Sequence, residues 1–169
     1  AESQKASVRH ALEMAENLPV KVALSLSDPF CVERHHQDFN ELIRSRVDLL
    51  FCNQEEAFTM METQVTQEAL AGLSENVETV VMTLGNRGSL ICNQGQIYYI
   101  DPIEVEVVDT TGAGDAYAAG FLYGFSHDQS IMNCGRIASV MAGTVIEQIG
   151  PRIETASMKT LKERLSNIP

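Results

Sequence analysis

A polar segment in the second half of the chain, Asp109-Thr110-Thr111-Gly112-Ala113-Gly114-Asp115, combines residue types that could bind a phosphate group and move a proton. Val107-Val108 before it predicts the end of a strand, and the small residues after it predict the start of a helix. A glycine turn at a helix N-terminus exposes backbone N–H groups and a partial positive charge, so this geometry binds anions. Asp115 would repel a phosphate there unless it accepts a proton from an incoming hydroxyl group. The alternative is an aspartate that only stabilises the helix N-terminus after a flexible turn.

Composition and charge restrict the classes of protein to which the chain could belong. Its 169 residues are 44% hydrophobic and 21% charged, which is typical of a soluble globular domain. A formal net charge of −11 argues against a nucleic acid or an anionic membrane as partner, although it leaves a small nucleotide ligand open. No apolar run reaches the ~20 residues that span a bilayer, and the polar N-terminus lacks the apolar core of a signal peptide. We therefore expect a cytoplasmic protein.

The four cysteines, Cys31, Cys52, Cys92 and Cys134, lie far apart in the sequence. They form no Cys-x-x-Cys pair, so their spacing predicts neither a structural zinc site nor a redox pair. We expect reduced thiols that are mostly buried.

Helices and strands alternate along the chain, which predicts a single α/β domain over residues 1–169. Helices are predicted at residues 3–18, 32–46, about 128–148 and 155–168. A further helical stretch ends near residue 75, and another helix follows the glycine turn. Strands are predicted at 20–26, 47–52, 77–84, 89–92, 96–100 and 105–108. Asn93-Gln94-Gly95 joins two of these strands as a hairpin. The expected architecture is Rossmann-like: a mostly parallel sheet with helices on both faces and polar motifs at the carboxyl ends of the strands.

The string from Asp109 to Asp115 resembles the signature of the ribokinase-like sugar and nucleoside kinases, the PfkB family. The resemblance implies that Asp115 is the catalytic base and that Gly112, Ala113 and Gly114 form the anion hole. It also places Thr110 among the nucleotide-binding residues. The implied function is ATP-dependent transfer of the γ-phosphoryl group to an alcohol of a sugar or nucleoside, with ATP and Mg²⁺ as cofactors.

The resemblance extends over nearly the whole chain, but only over the second half of the family pattern. We therefore expect the chain to be the C-terminal, nucleotide-binding part of a ribokinase-like kinase, with the N-terminal half and its lid missing. Segments around 27–30 and 134–136 look most like bacterial sugar kinases and adenosine kinases, and both substrate classes stay open.

Asn53 and Glu56 follow a predicted strand and form an Asn-x-x-Glu pattern. By itself the pattern predicts that Asn53 caps the next helix, with acidic residues in the first turn. It also resembles the second signature of the family, which implies that Glu56 orients waters of the Mg²⁺ shell and that Asn53 contacts phosphate or metal-bound water. Asp28, after another strand, is expected to cap the turn before Pro29, the alternative being a ligand position.

Thr83 and Gly85 lie in a Thr-Leu-Gly-x-x-Gly string that by itself predicts a tight hairpin turn. The string also resembles a family segment that contacts the phosphates or ribose of the nucleotide. Asn133 falls where the family often places a residue beside the adenine.

Backbone oxygens near Asp109, Thr111, Val145 and Gly150 align with the monovalent-cation loop of the family, which implies K⁺ as a further cofactor. Family members often carry a serine a few residues after the glycine, whereas Glu154 stands at the nearest position of this chain.

Two other functions are weighed against the kinase. The chain could be a non-catalytic nucleotide-binding or regulatory fragment that needs a partner chain, and a homodimer is one such assembly. A dinucleotide-dependent oxidoreductase is disfavoured, because the glycine turn lacks the Gly-x-Gly-x-x-Gly spacing.

Overall fold

The fold is that of a computed structural model, which describes residues 2–168, apart from the side chains of residues 2 and 4. The helices are α1 (Glu2–Glu16), α2 (Pro29–Arg34), α3 (His36–Ser45), α4 (Gln54–Met61), α5 (Thr66–Ser74), α6 (Ala113–Ser126), α7 (Ile131–Ile146) and α8 (Met158–Ser166). The strands are β1 (Ala23–Ser25), β2 (Leu49–Asn53), β3 (Thr79–Thr83), β4 (Ser89–Asn93) and β5 (Gln96–Ile100). Short 3₁₀ turns cover Gly85–Arg87 and Thr155–Ser157.

The five strands form one sheet in the order β1-β2-β3-β4-β5. Strands β1 and β2 run parallel, with Leu24 opposite Leu50. Strands β4 and β5 run antiparallel, with Ile91 opposite Tyr98. The predicted α/β class is confirmed: the sheet is mostly parallel and flanked by helices, and the predicted hairpin is present.

The chain divides into two compact units, the first ending at Val81 and the second beginning at Met82. In the first unit, Leu49, Leu50, Phe51 and Cys52 are all buried along β2. Four consecutive buried apolar residues require cover on both faces of the strand, which is typical of parallel sheets in α/β folds.

In the second unit, α6 packs closely against α7 because glycine stands at the point of contact. A Cβ atom at Gly120 would lie 2.8 Å from Cα of Ala138 and 2.9 Å from Cγ of Met141. Phe121, on the same helix, is completely buried. This contact fixes the position of α6, and with it the helix N-terminus that carries Asp115.

The predicted strand at 105–108 is wrong. Residues 101–107 have no regular secondary structure, and Val107 and Val108 are exposed. The N–H groups of Val108 and Asp109 both donate to the carbonyl oxygen of Ile146, at 2.8 and 3.2 Å. These amides therefore bond to the end of α7 instead of joining a strand ladder.

Several predicted helices are shorter than expected. The helix predicted over 32–46 is interrupted at His35, and the helical stretch that ends near 75 is interrupted at Glu62, which has a left-handed φ of 51°. The helix predicted to begin at Asp128 begins instead at Ile131, after the Ser130 cap. A φ of 55° at Asp128 is incompatible with a right-handed helix.

Candidate functional site

The glycine turn leads directly into α6, as predicted. Gly112 is the N-cap residue and has a φ of 81°, a left-handed conformation that favours glycine. The first N–H group that donates within the helix is that of Ala116, which bonds to the carbonyl oxygen of Gly112 at 2.9 Å. The N–H groups of Gly114 and Asp115 lie in the first turn, where an α-helix offers no backbone acceptor. The turn therefore presents backbone donors and the positive end of the helix dipole, which is the arrangement that binds a phosphate.

Open space adjoins this helix N-terminus. A Cβ atom built on Gly114 would meet nothing within 4 Å beyond its chain neighbours and the backbone of its own helix turn, so a ligand can approach the backbone there. Gly112 is different, since its Cβ atom would lie 2.5 Å from Cβ of Pro151. Gly112 thus allows close packing against Pro151, whereas Gly114 leaves room beside the exposed amides.

Asp115 is exposed in the first turn of α6. No hydrogen bond or ion pair joins its carboxylate to any residue between 2 and 168 that the structure describes. Its negative charge is favoured at the positive end of the helix dipole. The carboxylate can therefore accept a hydrogen bond from a bound hydroxyl group.

Asp109 has the opposite environment, because its carboxylate accepts three hydrogen bonds. Oδ1 accepts from the N–H and the hydroxyl group of Thr111, at 2.9 and 2.7 Å. Oδ2 accepts from the N–H group of Gly150, at 2.9 Å. The Thr111 hydroxyl, the Thr111 N–H and the Gly150 N–H together hold the pKa of Asp109 below its ordinary value. Asp109 thereby joins the glycine turn to the loop after α7.

Asn53 and Glu56 form the predicted cap at the N-terminus of α4. The Asn53 side chain accepts from the Glu56 N–H at 2.8 Å, and the Glu56 carboxylate accepts from the Asn53 N–H at 2.9 Å and from Asn53 Nδ2 at 2.7 Å. This reciprocal pair is a capping box. Its carboxylate is unusually enclosed, since Glu56 is only 5% exposed.

Burial raises the pKa of Glu56, and the nearby charges of Asp28 and Glu55 raise it further, whereas the Asn53 N–H lowers it. Asp28 itself caps α2, accepting the Cys31 N–H at 2.8 Å, as the sequence predicts. A buried carboxylate with other carboxylates nearby favours a cation. Carboxylate and amide oxygens suit Mg²⁺, which usually retains several of its waters and needs no complete protein cage.

The other predicted nucleotide-binding residues lie on separate elements. Thr83 ends β3, and Gly85 begins a 3₁₀ turn with a φ of 62°, where the Leu84 N–H donates to the Gly88 carbonyl at 2.8 Å. Thr110 is exposed, and its carbonyl accepts the Ala113 N–H at 3.1 Å. Asn133 lies in the first turn of α7.

Within the second unit, the structure brings together Asp109, Thr111, Gly112 and Gly150. Val145, buried in the last turn of α7, has a carbonyl oxygen that accepts the N–H groups of Glu147 and Gln148. Asn133 and Val145 are twelve residues apart on this helix, which at its ordinary rise separates them by ~18 Å. Asn133 is thus remote from the end of α7 at which the loop meets the turn.

The sequence reasoning missed two residues of this region, Gln148 and Pro151. Both act through contacts with residues that a local pattern does not indicate. Over the described part of the chain, no group of three or more His, Cys, Asp or Glu residues is placed to hold a metal ion, and no helix could cross a membrane. The cysteines are free, and burial raises the pKa of Cys134 to about 11.

Comparison with known proteins shows which protein family the chain matches. Residues 1–157 match the PfkB profile, described as pfkB family carbohydrate kinase. An uncharacterized sugar kinase of Archaeoglobus fulgidus is 32% identical over 120 residues, which are 71% of this chain and 48% of that protein.

Many solved structures resemble this fold, and two of them illustrate the similarity. A probable sugar kinase from Rhizobium etli superposes with a TM-score of 0.90 at 36% identity, over 95% of this chain and 49% of that one. The adenosine kinase from Sinorhizobium meliloti gives 0.89 at 37% identity, over 94% and 49%. The chain therefore spans about half the length of these relatives.

Proposed function

Because the chain belongs to the PfkB family of carbohydrate kinases, we propose that it transfers the γ-phosphoryl group of ATP to an alcohol of a sugar or nucleoside. The observation that carries this proposal is the N-terminus of α6. There an exposed carboxylate, Asp115, stands beside the first-turn amides of Gly114 and Asp115, for which an α-helix offers no backbone acceptor, and beside the open space at Gly114.

In the proposed reaction, MgATP supplies the phosphoryl group, and the metal neutralises part of the phosphate charge. The carboxylate of Asp115 accepts the proton of the substrate hydroxyl while the hydroxyl oxygen bonds to phosphorus and the ADP oxygen leaves. The backbone amides of Gly112, Ala113 and Gly114 are the proposed donors to the phosphoryl oxygens; the Ala113 N–H, which donates to the Thr110 carbonyl at 3.1 Å in this structure, would share or exchange that bond. Donors fixed at a helix N-terminus need little reorganisation as charge develops, and this lowers the barrier.

The remaining predicted ligands complete the proposal. Glu56 is the proposed holder of Mg²⁺ through its waters, with Asn53 on phosphate or metal-bound water, and the enclosed, hydrogen-bonded carboxylate supports this role. Thr83, Gly85, Thr110 and Asn133 are the proposed nucleotide contacts. K⁺ at Asp109, Thr111, Val145 and Gly150 stays a prediction.

The substrate is proposed at the level of its class. Both sugar kinases and an adenosine kinase are among the similar proteins, so a sugar and a nucleoside are equal candidates. A net charge of −11 supports a small ligand over nucleic acid or an anionic membrane. A cytoplasmic location and a homodimer are further proposals.

Asp115→Asn tests the proposed chemistry. We expect the variant to lose phosphoryl transfer almost entirely and to bind MgATP about as tightly as the parent protein, because an amide cannot accept the proton and the backbone donors are unchanged. The assay measures ADP release with adenosine and a panel of pentoses and hexoses. Normal turnover by the variant would show that Asp115 is not the base. Nucleotide binding without transfer to any alcohol would favour the non-catalytic alternative.

A further inference from the structure

One side chain, Gln148, closes the loop that follows α7. Its Oε1 accepts the N–H group of Glu154 at 3.1 Å and the hydroxyl group of Ser157 at 3.2 Å. Its Nε2 donates to the carbonyl oxygen of Arg152. A single amide thus bonds to three points of the segment 152–157, and it uses both of its polar atoms.

The loop closed by Gln148 contacts the glycine turn at two places. The Gly150 N–H donates to Asp109 Oδ2, and Pro151 packs against Gly112 so tightly that no Cβ atom would fit at Gly112. Gly150 and Pro151 both lie between Gln148 and Arg152, the residues that the amide joins. Fixing the two ends of this short segment therefore fixes the two groups that touch the turn.

The start of the turn is held to α7 by the N–H groups of Val108 and Asp109, which donate to the Ile146 carbonyl at 2.8 and 3.2 Å. The Asp109 carboxylate obtains its two remaining hydrogen bonds from its near neighbour Thr111. Among the described residues, Gly150 bonds to this carboxylate and Pro151 packs against Gly112 from outside the turn. Hydrogen bonds weaken steeply as they bend away from linear, so a phosphate site depends on the direction in which its N–H donors point.

We propose that Gln148 is a positioning residue for the phosphate-binding turn: by closing the loop 148–157, it holds Gly150 and Pro151 against Asp109 and Gly112, and so aims the first amides of α6. This inference rests on the proposed function, since it assigns the same turn to a phosphoryl group. Gln148 is added to the proposed phosphate site as a residue that touches no ligand and that acts on the turn through the loop.

The test compares Gln148→Ala with Glu147→Ala in the full chain. Glu147 is the adjacent residue, and its carboxylate pairs with Arg164 of α8; among the described residues it has no hydrogen bond to the loop or the turn. Its variant should lower the melting temperature but leave the turn in place. Two properties are measured: the hydrogen-exchange rates of the Thr111 and Gly150 amides without ligand, and the Kd for MgATP.

We expect Gln148→Ala to speed exchange at both amides and to raise the Kd for MgATP about tenfold, and Glu147→Ala to change neither. Gln148→Glu retains the two acceptor bonds, so it should recover part of the protection. Unchanged exchange and affinity in Gln148→Ala, or equal changes in Glu147→Ala, would overturn the proposal.

Two further experiments decide the question if Gln148→Ala does not fold or if the parent protein binds no nucleotide. If Gln148→Ala does not fold, Ser157→Ala removes one bond to Oε1 and should produce the same changes at smaller size; no change in exchange would overturn the proposal. If the parent protein binds no nucleotide, the proposed function fails, and the exchange rates still decide whether Gln148 holds the turn.

Discussion

At the scale of single residues, two aspartates six positions apart in one motif have different environments. Asp109 accepts three hydrogen bonds and holds two loops together, whereas Asp115 is exposed and bonds to no described residue. A carboxylate whose acceptor sites are already used by the protein is suited to structure. One without such bonds, at a helix N-terminus, can receive a proton from a ligand.

The lowered pKa of Asp109 predicts how its contribution to stability depends on pH. Because its folded pKa lies below the ordinary value of 3.8, the carboxylate stabilises the fold at every pH above that value. The contribution is lost as the pH falls through the folded pKa. We therefore expect Asp109→Asn to melt at a lower temperature than the parent at neutral pH, with a difference that shrinks in acid below 3.8.

Thermal unfolding followed by circular dichroism from pH 7 to pH 3 measures this difference. Asp101→Asn, at an exposed position of the same unit, serves as the control and should show little change at any pH. A difference for Asp109→Asn that stays constant down to the most acidic pH would show that the carboxylate is not the source of the stabilisation.

The sequence predicts local contacts between residues better than distant ones. The Asn53 cap of α4 can be predicted from the sequence because Asn53 and Glu56 are three positions apart, the spacing that a capping box requires. The bond from Asp109 to the Gly150 N–H joins residues 41 positions apart, and no periodicity indicates it. The functional roles of Asn53 and Glu56 stay predictions, and the observed capping box is compatible with them.

At the scale of helices and strands, the contact of α6 with α7 positions the site. We expect Gly120→Ala to destabilise the protein by about 1–3 kcal/mol, because its added methyl group would overlap the Ala138 backbone. Chemical denaturation measures the free energy of unfolding.

Gly114→Ala is the matched control, because it makes the same change on the same helix with no atom within 4 Å of the new Cβ. It should cost nothing in stability, since alanine favours helix more than glycine does. If both variants have the stability of the parent, α6 is not held by this close packing.

The predicted elements succeed or fail for identifiable reasons. The hairpin is correct because Asn93-Gln94-Gly95 supplies a turn with positive φ at Gln94 and Gly95 between two β-rich runs. The strand at 105–108 is wrong because a valine-rich run indicates a strand only where a neighbouring strand can pair with it. Here two amides at its end bond to the carbonyl of Ile146.

At the scale of the whole chain, alternation of helices and strands was sufficient to predict the α/β class, and a seven-residue signature was sufficient to indicate the family. The division after Val81 was not predictable, because β3 has the same apolar character on both sides of it. The structure of the loop after α7 could not be predicted from the sequence either. Its order comes from Gln148, a residue type that is common on any surface.

Calorimetric titration of the chain with ATP and Mg²⁺ tests most directly whether the N-terminus of α6 binds the phosphates of ATP, as we propose. Gly114→Val should abolish saturable binding, since the side chain fills the open space beside the amides while the fold has room for it. Ala119→Val places the same side chain on an exposed position of α6 and should bind as the parent does. Absence of binding by the folded parent, or equal binding by Gly114→Val, would show that the N-terminus of α6 is not the phosphate site.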